Sequence, residues 1–149
     1  LDALAPRHVV ADEMLTAARA FPEGQYLWAS RALAEGKFGP YEPQSSEDRV
    51  DFMRDVFRTL GLLVWDGHGP TLALYARHLL DGMPPEYDGI KVAMLAADPP
   101  LTDIQYAYGM LTLAQAAGGD VAVDLARAEA GLNEVEQVAA VEWAEGLNK

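Results

Sequence analysis

Apolar residues recur at three- and four-residue spacing along nearly the whole chain, in stretches of ten to fifteen residues that end at Gly or Pro. That spacing lays an apolar stripe along one side of a helix, whereas a half-buried strand would need strict alternation. Ala, the strongest helix former, occurs 25 times, and β-branched residues are scattered rather than clustered. The chain therefore reads as all-α, and short turns between helices of this length favour antiparallel neighbours.

The punctuation divides the chain into about eight helices. The first is expected over 8–20, before Phe21 and Pro22, and the second over 24–35, with Leu27 and Ala34 on its inner face and Gly36 closing it. Gly39, Pro40 and Pro43 make 37–46 a loop, and Ser45 with Asp48 three residues on caps a third helix that runs to about Leu60. A turn over Trp65–Pro70 places Pro70 at the first position of a fourth helix over 70–81, ended by Gly82. Pro84 and Pro85 start a fifth helix to about Ala97, and Thr102 with Gln105 forms a capping box for a sixth. Gly118 and Gly119 interrupt, a seventh helix fills 120–130 up to Gly131, and Asn133 with Glu136 opens an eighth carrying Trp143. Residues 102–117 have two candidate neighbours, the fifth helix and the seventh.

Self-similarity adds to this. Ser30-Arg31-Ala32-Leu33-Ala34-Glu35-Gly36 aligns without gaps to Ala76-Arg77-His78-Leu79-Leu80-Asp81-Gly82, and Leu125-Ala126-Arg127-Ala128-Glu129-Ala130-Gly131 is a looser third copy. Each copy places small residues at a helix end and a Gly where the chain turns back, as stacked hairpins require. The unit around 70–99, with Leu74, Tyr75, Ala76, Leu79, Gly82, Asp88 and Ala96-Ala97, resembles the Sel-one-like repeats, relatives of the tetratricopeptide repeats. Ala116-Ala117, Gly131, Ala140 and Trp143 resemble a second unit, although the family's Gly-x-Gly-Val after the first helix is absent. The resemblance implies an α-solenoid of stacked antiparallel helical hairpins, in a single domain over 1–149 with an N-terminal helix in 1–23 and degenerate repeats over 24–147. It also implies a bacterial adaptor, or an immunity-type inhibitor that neutralises a toxin or effector.

Composition narrows the function classes. The 11 Lys+Arg and 23 Asp+Glu leave a net charge of -12, of which residues 60–149 carry -9 with 4 basic and 13 acidic side chains. Such a surface repels phosphate backbones and anionic lipid and speeds encounter with a basic protein, while also favouring solubility. Nucleic acid is therefore not expected as a partner. Neither is membrane insertion, because the longest uncharged stretch, Ile104–Gly119, has only 16 residues. Zero cysteines exclude disulfides and thiolate chemistry and leave the compartment open. The chain begins at Leu1 rather than Met, so an upstream segment is expected to have been removed, and a module excised from a larger protein would begin the same way.

No metalloprotease, nucleophile-elbow or phosphate-loop motif occurs, so no catalytic residue, cofactor or metal is expected. Among the aromatics, Tyr41 and Tyr87 lie in or beside Pro-containing loops and are expected to be exposed. A non-enzymatic protein-binding module would meet a basic partner through the acidic second half, with Tyr41, Asp81, Glu86, Tyr87, Asp88, Asp120 and Asp124 as contacts. The alternative is a small helical-bundle hydrolase or metal-dependent enzyme around Asp66, His68 and His78, which requires those three side chains to converge.

Overall fold

A computed structural model describes residues 21–35, 43–82, 95, 97 and 100–147. Among them every regular element is a helix: α1 Pro22–Glu35, α2 Ser46–Trp65, α3 Gly69–Asp81, α4 Asp103–Ala116, α5 Ala122–Ala130 and α6 Glu134–Glu145. The helix expected over 8–20, and the one expected over 84–97 apart from the helical, buried Leu95, lie outside the described residues. No described helix is long and apolar enough to cross a membrane. The chain divides into two compact units, residues 1–60 and 61–149.

In residues 1–60, α1 turns a different face inward from the one its sequence suggests. Leu27 is 66% exposed and Ala34 is exposed, while Trp28, Ala29 and Ala32 are buried. The indole removes far more apolar surface from water than Leu27 would, and it meets the Phe52 ring edge-on at 6.3 Å between centroids. The small side chains of Ala29 and Ala32, on the same side, leave room for a close neighbour. The start of α2 is as expected: the Asp48 N–H donates to Ser45 Oγ at 3.1 Å. Its end is not, because the helix continues past Leu60 to Trp65. Met53, Val56, Phe57, Leu60, Leu63 and Val64 form one buried stripe at helical spacing. Burial of Leu63 and Val64 on that stripe outweighs the helix-weakening Gly61.

In residues 61–149, α4 is the central element and packs against α3, α5 and α6. Gln105 to Leu111 are buried without a break, together with Ala114, so the helix has almost no solvent face. A helix apolar all round must be covered on every side, which gives 102–117 its neighbours in α3, α5 and α6. Both capping boxes form: Thr102 Oγ1 accepts from the Gln105 N–H at 3.2 Å, and Asn133 Oδ1 from the Glu136 N–H at 2.8 Å. Positive φ at Gly67 (76°), Gly82 (92°) and Gly118 (92°) lets the chain reverse after α2, α3 and α4.

The α4–α6 contact is the tightest. A Cβ on Gly109 would lie 2.7 Å from the Ala140 carbonyl oxygen and 3.1 Å from both Ala144 Cβ and Trp143 Cε3. Glycine in mid-helix costs about 1 kcal/mol relative to Ala, so its presence there answers to packing rather than propensity. Tyr106 meets Trp143 edge-on at 4.8 Å, and Gln105 Nε2 donates to the Glu136 carbonyl at 3.2 Å. Gly109→Ala should therefore destabilise the protein by about 1–3 kcal/mol despite its better helix propensity, read as a lower denaturant midpoint at unchanged slope.

Candidate functional site

The repeated arginines meet the carboxylates of the opposite helix. Arg77 on α3 donates through Nε and Nη2 to Asp124 Oδ2 on α5, at 3.2 and 3.0 Å. Arg127 on α5 donates from Nη1 to Asp81 Oδ1 on α3 at 2.7 Å, and from Nη2 to the Leu80 carbonyl at 3.0 Å. The exchange is reciprocal, each helix giving one cation and one carboxylate. The hydrogen bond from Arg127 holds the Asp81 carboxyl below the usual carboxylate range. Both arginines are half exposed, so solvent screening leaves each pair little net contribution to stability. Their main consequence is for charge: Arg77 and Arg127 are the only Lys or Arg among the described residues of 61–149, and both are engaged within the chain.

Of the residues expected to contact a partner, Asp81 and Asp124 thus already hold an arginine, and Asp120 is exposed. Tyr41, Glu86, Tyr87 and Asp88 lie outside the described residues. The exposed carboxylates of this unit include Asp120, Glu134, Glu142 and Glu145, none of which forms an ion pair with either arginine. Glu129 accepts from the Tyr108 hydroxyl at 3.4 Å, and burial together with that carboxylate pushes the Tyr108 phenol up.

Asp66, His68 and His78 are not brought together. His68 precedes α3, and its Nδ1 lies 2.7 Å from Thr71 Oγ1, a bond within the first turn. His78 is ten residues further along the same helix, about 15 Å along its axis. Asp66 is exposed in the preceding turn. Among the described residues no group of three His, Asp or Glu side chains could hold a metal ion.

Of the apolar residues that remain exposed, Leu62, Val135 and Val138 were not singled out by sequence. Trp28, Tyr75, Tyr106 and Tyr108 are buried, whereas Trp65 is 42% exposed. Leu62, one turn before it, is also exposed. On α6, Val135 and Val138 are 78% and 52% exposed while Ala140 and Ala144 are buried. At 100° per residue, Glu134, Val135, Val138, Glu142 and Glu145 share one outer face of that helix. A helical wheel of 134–145 would have shown this face, but not that it points outward. Compared with family models, curated proteins and solved structures, the chain matches none.

His78 supplies a pH test. Burial lowers its pKa from 6.5, with Arg77 acting in the same direction and Asp81 opposing. Folding then disfavours the protonated ring, so the unfolded chain binds more protons below pH 6.5 and stability falls as the pH drops through that value towards the folded pKa. Asp81 acts in a lower window, its stabilising contribution being lost below about its unfolded value of 3.8. The melting temperature should therefore fall on acidification from about pH 7 to pH 5, and His78→Gln should flatten that slope while leaving the decline near pH 4 in place.

Proposed function

We propose that this chain is a non-enzymatic protein-binding module that recognises a partner with a basic surface. The observation that carries the reading is the fate of the cations: with Arg77 and Arg127 held by Asp124 and Asp81, exposed Asp120, Glu134, Glu142 and Glu145 face solvent with neither arginine beside them. An uncompensated acidic field of this kind raises the encounter rate with a cationic protein and repels phosphate and anionic lipid. The order of the helices and the matching ends at 76–82 and 125–131 support a helical-repeat array akin to the Sel-one-like repeats, stacked as a solenoid of hairpins. In that setting the chain acts as an adaptor or as an immunity-type inhibitor that neutralises a toxin or effector. Asp120 is then a direct contact, and Asp81 and Asp124 position the arginines at the edge of the binding surface.

Affinity capture from the source cell tests this, with the full chain as bait at about 50 and about 300 mM salt. The expected result is a partner of basic isoelectric point whose affinity falls at least about tenfold at the higher salt. A partner that is acidic, or whose binding is indifferent to salt, would overturn the reading.

A further inference from the structure

We propose that the outer face of α6, where Val135 and Val138 sit among Glu134, Glu142 and Glu145, is the seat for a cationic amphipathic helix of the partner. The proposal rests on the basic-partner reading above and names where and in what form the partner docks. Three features of α6 carry it.

Beside the inward Trp143, small residues rather than valines line the inner face of the helix. Two of its three alanines, Ala140 and Ala144, face inward, because Gly109 of α4 approaches Ala140 so closely that no side chain fits between them. The larger Val135 and Val138 point to solvent. Val is a poorer helix former than Ala, and side chains left 78% and 52% exposed gain little from folding, so neither propensity nor the core accounts well for them. Two of the four charges are likewise set against the helix: Glu134 and Glu136 in the first turn suit its dipole, the other two do not. It has four Glu and no Lys or Arg, and Glu142 and Glu145 lie near its C-terminal end, where the helix dipole is itself negative. Like charges three residues apart on one face repel. Within the chain Glu142 and Glu145 are unfavourably placed, and a partner's Lys or Arg side chains would relieve them.

The same charges select the occupant. A second copy would bring another -12 to the interface, and an anionic lipid surface would be repelled. A helix with an apolar stripe flanked by Lys or Arg matches both the two valines and the three carboxylates.

The test uses the full chain and a fluorescein-labelled Leu/Lys amphipathic peptide of about 18 residues, long enough to hold a helix, with a Leu/Glu counterpart as control, followed by anisotropy. The expected result is binding of the Leu/Lys peptide alone. V135S/V138S, which leaves the charge unchanged, should weaken it about tenfold, and E142Q/E145Q should weaken it and flatten its salt dependence. E23Q/E47Q, in residues 1–60, should leave it unchanged. These positions are exposed, so far-UV circular dichroism should match the parent; should V135S/V138S misfold, E142Q/E145Q decides. Undiminished binding of the Leu/Lys peptide by both double variants would overturn the α6 seat and leave the basic-partner reading standing. Equal binding of the two peptides, or binding of neither, would overturn the α6 seat, and the charge and salt dependence of the captured partner would still decide the basic-partner reading.

Discussion

The structure of residues 61–149 depends on one close approach, the backbone of α4 at Gly109 against the carbonyl of Ala140. A helix that buries nearly every side needs neighbours on every side, and their distances are set by the smallest residue at each contact. Gly109 brings α6 within reach of the edge-on stack of Tyr106 and Trp143 and of the bond from Gln105 to the Glu136 carbonyl. Tyr106 works outward as well: its hydroxyl accepts from the Ala97 and Leu101 N–H groups, each at 3.3 Å, which ties the segment entering α4 to the helix it begins. Burial of this helix also sets the environment of the groups around it. The Tyr75 phenol is pushed up by its own burial, with the nearby charge of Asp103 adding to the effect.

The reciprocal ion pairs do a different job. Half-exposed arginine pairs contribute little to stability, and the Arg127 bond to the Leu80 carbonyl satisfies one group near the end of α3. Their weight lies in where the positive charge goes. Pairing each arginine with a carboxylate on the opposite helix leaves neither cation in an ion pair with the exposed Asp120, Glu134, Glu142 or Glu145. The acidic surface therefore follows from the excess of carboxylates, and the position of the two cations decides which of them are offset.

What could be read from the sequence divides by the range of the interaction that decides it. The caps at Ser45, Thr102 and Asn133 were legible because each is settled by a residue three positions on. The all-α class was legible from periodicity, which is a property of one segment at a time. The end of α2 was not, because Leu63 and Val64 are helical through burial on a stripe that begins at Met53, and Gly61 looks like a stop from its immediate neighbours alone. The inward face of α1 was misjudged for a related reason: Leu27 and Trp28 are both apolar, and the choice between them is made by Phe52 on another helix. The arginine pairs join residues 46 and 47 apart, beyond any local rule, although the recurrence of Arg77 and Arg127 before Gly82 and Gly131 marked the positions.

The outer face of α6 shows why core and surface have to be read together. By side-chain size alone, Val135 and Val138 would be assigned to the core and Ala140 and Ala144 to the surface, since burying the larger side chain usually stabilises more. The assignment reverses because contact density is limited by backbone approach: with Gly109 opposite, two alanines let the helices interlock, and valines in their place would hold them apart. With alanines and Trp143 filling the interface, Val135 and Val138 are largely released from the fold's demands. Val135 and Val138 thus stand largely exposed beside Glu142 and Glu145, which lie at the negative end of the helix, and the proposed docking would act on that face.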